Sequence, residues 1–328
     1  MPKYTTTFSL LLLLALFLFC PVTGNTQTAT NYHRYFATAQ YNGNTIIILR
    51  KFEQQGKPYY LYADPKTIET ATIAAAKVTA QATKWDDIVT TYKTTPYIKA
   101  LLAAQQQSVA LQDAGITHAY PKEKGITLTI DLCPSHKPLD RVIFTSLITE
   151  FKKIETPVPV ALSVTGRFML THAEDIDWLK NLVKQKEINI TWINHTYNHH
   201  YDPKLPLTKN FLLEPGTDID FEILGTEIAM LQHGLMPSVF FRFPGLVSDA
   251  KMVQAVTGYG LIPIGSDAWL AKGQAANAGS LVLIHGNGNE PIGVKDFINL
   301  LKTEQSKVTD KQWLLYDLRE SVKNEFGE

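Results

Sequence analysis

His195 and His199 stand four residues apart, directly after the apolar run Ile188 to Ile193. On a helical turn residues i and i+4 share one face, so the spacing predicts a turn from which both imidazoles grip one metal ion. A His pair alone is weak evidence, because the same spacing arises in ordinary cores and surfaces. The other chemistry-bearing groups share a rule of placement, each lying at the end of a short apolar run. Gly125 to Asp131 alternates β-branched and apolar residues and delivers a carboxylate. Val239 to Phe241 leads into Arg242, Phe243, Pro244 and Gly245, Ile264 to Trp269 carries Asp267 and Trp269, and Leu281 to Ile284 ends in His285. A βα barrel or doubly wound sheet places its chemistry in this way, at the carboxyl ends of strands.

From residue 121 onward strands and helices alternate, which predicts a parallel α/β arrangement. Leu139 to Lys153 sets Ile143, Leu147 and Phe151 at helical spacing, and Val158 to Val164 is the next strand. Thr171 to Glu174 has the spacing of a capping box, opening a helix that buries Ile176, Leu179 and Val183. Thr217 to His233 predicts another amphipathic helix, and Ser248 and Gly258 bracket a short one. Periodicity alone does not separate a barrel from an open sheet.

Taken together, these motifs resemble the polysaccharide deacetylase family, carbohydrate esterase family four, over roughly residues 120 to 320. Thr129-Ile130-Asp131-Leu132-Cys133 stands where the family has Thr-Phe-Asp-Asp-Gly, and His195 to His199 where it has His-(Ser/Thr)-x-x-His. Arg242-Phe243-Pro244 matches Arg-x-Pro, Asp267 with Trp269 loosely matches an Asp and Trp motif, and Leu283-Ile284-His285 matches Leu-x-His. The resemblance implies a distorted (β/α) barrel with fewer than eight regular strands. It also implies a divalent metal ion, expected to be zinc, on His195 and His199, lowering the pKa of a water and polarising an amide carbonyl. Asp131 would be the general base and His285 the acid that protonates the departing amine. Arg242 would hold Asp131 ionised through a charge-assisted bond, and Asp267 would partner Arg242 or His285. Pro244, Gly245, Asp267 and Trp269 would line the substrate pocket, with Trp269 as an apolar wall.

The first motif departs from the family where its second aspartate ligates the metal, because that position is Leu132. A catalytic zinc site normally has three protein ligands and a water. The third ligand is left open between Asp131 itself and Cys133, which shares a face with Asp131 on an extended segment. A thiolate would favour zinc over harder ions. Gly245 likewise stands where the family often has Tyr. The expected activity is removal of N-acetyl groups from an amino-sugar glycan such as peptidoglycan or chitin. Alternatives are a relative that binds glycan without hydrolysing it, with Leu132 as the lesion, and an amidase or esterase acting on a non-sugar substrate. His33, His118, His136, His172, His200 and His233 are assigned to the surface or to the surroundings of the site.

Composition fits a secreted enzyme. Met1-Pro2-Lys3 followed by apolar Phe8 to Phe19 reads as a signal peptide of residues 1–24 cleaved after Gly24, its apolar run too short to span a bilayer. This predicts a secreted or periplasmic protein with no stable membrane span. Cleavage leaves Cys133 as the lone cysteine, so stability must come from core burial, for which 45% hydrophobic residues suffice. A net charge of +0 without a basic cluster disfavours a nucleic-acid partner. Residues 25–120 read as a smaller α+β module of unknown role, separate from a catalytic domain at 121–328. In it Tyr32 to Tyr41, Thr45 to Lys51 and Lys57 to Tyr62 are strands, with Asn42-Gly43 as a hairpin turn. Lys66 to Ala82 reads as helical, and Thr95-Pro96 as an N-cap with proline at the first helical position. Tyr59, Tyr60 and Tyr62 are expected to pack within the strands rather than form a sugar platform.

Overall fold

The computed structural model describes residues 28–107, 111–119 and 124–327; the expected signal peptide lies outside them. Asn42 and Gly43 both take positive φ, which turns β1 (Ala29–Tyr41) back onto β2 (Asn44–Gln54) with Tyr41 facing Asn44. β3 (Lys57–Ala63), β4 (Thr70–Ala74) and β5 (Gln81–Ala82) complete an antiparallel sheet in the order β4-β3-β2-β1-β5. The segment Lys66 to Ala82 is therefore not an α-helix: it is strand at both β4 and β5, with only a single 3-10 turn at Ala75–Lys77 between them. Its Ala and Thr residues pair along β3, with Ile73 opposite Tyr60, and tertiary pairing overrides their helix propensity. The tyrosines pack as strand residues, Tyr60 stacked on Tyr35 at 5.6 Å and Tyr59 on Phe52 at 5.8 Å. Two helices follow, α1 (Trp85–Thr91) and α2 (Pro96–Gln106). Pro96 occupies the first position of α2, but the Thr95 hydroxyl donates to the Tyr92 carbonyl instead of capping the helix.

The second sheet begins with β6 (Gly125–Leu132), after which come α3 (Val142–Phe151), β7 (Val158–Val164), α4 (Gly166–Thr171), α5 (Ala173–Lys184) and β8 (Ile188–Asn194). A π-helical turn at Phe221–Gly225 runs into α6 (Thr226–Gln232), so the helix expected over Thr217 to His233 is shorter and locally widened. Then come β9 (Pro237–Phe241), α7 (Ala250–Thr257), β10 (Ile262–Pro263), β11 (Ala268–Trp269), β12 (Leu281–His285), α8 (Pro291–Thr309), β13 (Leu314–Leu315) and α9 (Leu318–Gly327). The strands are parallel in the order β10-β9-β8-β7-β6-β12-β11, with β13 also on β6. Several strands are only two residues long, so this is a distorted (β/α) barrel with fewer than eight regular strands.

Two capping expectations shift. Thr171 lies inside α4 and its hydroxyl meets His172, which takes the N-cap position of α5 without a side-chain cap bond. Leu182 is buried on α5, and Val183 is exposed. Asp249, not Ser248, caps α7, accepting from the Met252 amide at 2.7 Å.

β6 is buried on both faces, as a strand of a covered parallel sheet must be. Ile126, Leu128, Ile130 and Leu132 enter the core beneath the helices with Ile143, Leu147 and Phe297. The alternate residues Thr127, Thr129 and Asp131 therefore face the barrel interior. Leu132 is thus a core residue by strand parity, and Cys133, the next position, returns to the side of Asp131.

Residues 111–119 tie the β10 end of the sheet to the β12 end. Ile116 exchanges main-chain bonds with Pro263 and Gly265, Ala119 donates to Gly279, and Thr117 accepts from Leu281. This approach is so close that a Cβ on Gly115 would lie 2.3 Å from the Pro263 carbonyl oxygen, at a φ of +97. Gly115→Ala is accordingly expected to destabilise the fold by more than about 1 kcal/mol. Chemical denaturation checks this, and an unchanged midpoint would show that the segment yields freely.

Candidate active site

The strand β6 delivers Asp131 and Cys133, β8 delivers His195, β9 delivers Arg242, and β12 delivers His285. Parallel pairing sets His285 directly opposite Asp131 on neighbouring strands, so the two side chains stand side by side. Asp131 Oδ2 lies 3.6 Å from His195 Nε2, and Cys133 Sγ lies 3.5 Å from the same nitrogen. Cys133, His195 and His199 offer ligand atoms that all lie within 4.8 Å of one another. Zinc bonds of about 2.3 Å to sulfur and 2.0 Å to nitrogen at a tetrahedral angle would place such atoms about 3.5 Å apart; Cys133 Sγ and His195 Nε2 already stand at 3.5 Å, and the group with His199, spread to 4.8 Å, would close by about an ångström around an ion. His195 Nδ1 is 2.8 Å from the Arg242 carbonyl, which accepts its proton and leaves the Nε2 lone pair facing the cluster.

The His pair reaches this arrangement without a helix. Residues 195–200 are an irregular loop, with Thr196 at φ 69 and His199 at φ 49, and the rings meet at 4.8 Å and 65°. Four-residue spacing was thus met by two left-handed residues rather than by a helical turn. The loop is held by Glu222 from the π turn. Its Oε2 accepts from the Tyr197 and Asn198 amides at 2.9 Å each, and its Oε1 from Asn198 Nδ2 at 2.7 Å. Asn194 Oδ1 accepts from the Thr196 amide at 3.0 Å. Charge-assisted bonds of this kind are the strong ones, so Glu222 fixes where His199 stands. Glu222→Ala is expected to weaken zinc binding about 10–100-fold, as loss of a supporting contact does. Competition against a chelator reads this, and unchanged affinity would free Glu222 of the role.

Electrostatics follow from burial and neighbours. Burial pushes the Asp131 carboxyl up, but Arg242, His195 and His285 outweigh it and hold the group below its ordinary value. Burial likewise raises the Cys133 thiol, yet His199 and contacts with His195 and His285 bring it well below its ordinary value, favouring a thiolate. Burial lowers His285, and Cys133 and Glu290 more than reverse that, leaving it well above its ordinary value. Buried polar atoms without a hydrogen-bond partner gather here, including Asp131 Oδ1, His199 Nε2, and Nε and Nη1 of Arg242. Such atoms are rare in a finished interior and mark where an ion, water or substrate belongs.

Some expected contacts are made differently. The hydrogen bond of Arg242 goes from Nη2 to Thr129 Oγ1 at 2.9 Å, so its influence on Asp131 is one of charge rather than a direct bond. Asp267 pairs with His118 Nδ1 at 2.8 Å, not with Arg242 or His285. The segment 111–119 brings His118 to it, and no local pattern in the sequence announces that crossing. His285 instead has Glu290 Oε2 at 2.7 Å from Nδ1, and the same oxygen accepts from Trp269 Nε1 at 2.8 Å. Trp269 is buried, 5.8 Å from the His285 ring. Glu290 escaped the sequence reading because it follows the last motif as an isolated acidic residue before a helix.

A cavity of about 640 Å³ opens beside the cluster, lined by His199, Pro134, Pro244, Tyr201, Phe211 and Glu214 among others. Pro244 thus lies on its wall. Gly245 takes φ +60, and a Cβ there would meet the Phe211 ring at 2.7 Å. Phe211 therefore fills the space beside Gly245 and packs on His199 at 5.3 Å.

Residues 30–98 match the family model described as the RP012 protein N-terminal domain. Among solved structures, a family 4 carbohydrate esterase from Bacillus anthracis aligns at 18% identity and TM-score 0.46, covering 67% of this chain and 90% of that one. PdaA of Bacillus subtilis, a family 4 carbohydrate esterase, aligns at 14% identity and TM-score 0.45, covering 66% and 94%. A family 4 pseudoenzyme from Bacillus anthracis aligns at 16% identity and TM-score 0.44, covering 65% and 70%. The ordered motifs from Asp131 to His285 resemble those of carbohydrate esterase family four.

Proposed function

We propose that this chain is a metal-dependent hydrolase that removes N-acetyl groups from an amino-sugar glycan of the peptidoglycan or chitin kind. Residues 1–24 would be a signal peptide and 25–120 and 121–328 the two domains of a secreted or periplasmic enzyme; among the described residues no helix is long and apolar enough to cross a membrane. The observation that carries the reading is the convergence of Cys133, His195 and His199 beside Asp131 and His285. Zinc is the ion a thiolate with two imidazoles suits best, and when bound it would polarise the carbonyl and acidify a water. Cys133, His195 and His199 would hold it.

The protein's own groups supply the proton traffic. Asp131, ionised in the field of Arg242, takes a proton from the water whose oxygen adds to the acetamide carbon. His285 gives a proton to the nitrogen as the C–N bond breaks, so acetate and a free amine leave. Pro244 and Gly245, beside Phe211, would seat the sugar, with Trp269 as a wall near the acid and Asp267 with His118 at the rim. The test is zinc analysis paired with acetate release from acetylated amino-sugar oligomers, expected to give about one zinc per chain and acetate. No acetate from any such oligomer with zinc bound would turn the reading toward a non-sugar amide or ester.

Leu132 favours a second reading, binding of glycan without hydrolysis, because it removes the family's carboxylate ligand. The two part on the natural chain itself: retention of glycan with neither zinc nor acetate release would make it a binding protein, and a carboxylate at 132 would not decide it because strand parity turns that side chain into the core.

A further inference from the structure

We infer that Glu290 is the positioning residue for His285, its carboxylate 2.7 Å from Nδ1 holding the ring on the strand position opposite Asp131. The consequence for catalysis rests on the deacetylase reading; the geometry does not. His285 closes β12 with a side chain only 12% exposed, and Glu290 stands immediately before Pro291, at the N-cap position of α8. One oxygen, Oε2, accepts from Trp269 Nε1 at 2.8 Å and lies 2.7 Å from His285 Nδ1, an ion-pair contact set too obliquely to be a straight hydrogen bond. The indole donor therefore pins the carboxylate, and the carboxylate orients the imidazole. Trp269 is itself fixed, with its amide donating to Gln274 Oε1 at 2.6 Å and Lys272 Nζ 3.5 Å from its ring centre.

A carboxylate at Nδ1 selects the tautomer protonated there, so that Nε2 is the nitrogen that gives and regains a proton on the substrate side. Without it the ring divides between tautomers and rotamers, and the acid stands in the wrong form part of the time. Asp267, the residue the sequence placed at this task, is engaged by His118. Glu290 comes instead from the loop after β12, at the N-cap position of α8.

The experiment uses the zinc-loaded mature chain, with ¹⁵N-histidine NMR at a pH where His285 is neutral, on wild type, Glu290→Ala and Glu290→Gln. Wild type is expected to show His285 in the Nδ1–H form alone, Glu290→Ala a mixture, and Glu290→Gln, whose amide oxygen still accepts from Nδ1–H, mostly the Nδ1–H form. Acetate release should fall about 100-fold in kcat for Glu290→Ala with KM within about threefold, and Glu290→Gln should recover most of it. Zinc content should be unchanged in both. A single Nδ1–H form in Glu290→Ala, or loss of zinc from it, would overturn the inference. If wild type releases no acetate, the deacetylase reading fails, while the tautomer measurement still decides the role of Glu290.

Discussion

Cys133→Ser is expected to strip the purified protein of zinc and abolish acetate release. A serine hydroxyl stays protonated where the Cys133 thiol is held well below its ordinary value, so the substitution removes an anionic ligand and leaves the two imidazoles. The fall in zinc affinity should exceed the about 10–100-fold expected from losing a supporting contact such as Glu222. Zinc X-ray absorption on the wild type should show sulfur at about 2.3 Å together with nitrogen at about 2.0 Å. Nitrogen and oxygen scatterers alone would return the third ligand position to Asp131. Leu132 has no part in this, since strand parity turns it into the core with Ile130 and Ile143.

The second large effect is on stability. Glu227→Ala should cost about 3–5 kcal/mol, because it strands the buried Arg50 guanidinium. Arg50 Nε and Nη2 grip the two carboxylate oxygens at 2.8 and 2.9 Å, Nη1 donates to the Tyr259 carbonyl at 2.7 Å, and the Tyr32 hydroxyl donates to Glu227 Oε2 at 2.8 Å. These bonds run from the N-terminal sheet to α6 and its neighbours in the barrel, so the melting temperature should drop on the order of 10 °C. The double variant Arg50→Met with Glu227→Leu should recover much of it, since replacing both charges removes the desolvation cost. A single variant melting within about 1 °C of wild type would show that the pair does not bind the two parts together.

What could be read in the sequence was what is encoded locally. The Asn42-Gly43 turn, proline at the start of α2, the buried face of α3 and the strands β6, β7, β8 and β12 all follow from periodicity and turn chemistry over a few residues. The parity argument also placed Cys133 on the side of Asp131. Lys66 to Ala82 misled because alanine favours helix in isolation, whereas pairing with β3 decided the outcome. The helical turn at the His pair failed for the same reason at smaller scale: Glu222, 23 to 27 residues downstream of those histidines, fixes the loop with bonds no local pattern reveals. Asp267 is drawn away from His285 because residues 111–119 cross the seam of the sheet and bring His118 to it, a long-range event, and Glu290, which no motif marked, lies against His285 instead.

The most direct measurement is a titration of zinc into metal-free protein, following acetate released from an acetylated amino-sugar oligomer. Activity should rise linearly and break at one equivalent in the wild type, and stay at the blank in Cys133→Ser and His199→Ala over the same range. Acetate release at full rate before any zinc is added, or undiminished in His199→Ala, would contradict the account.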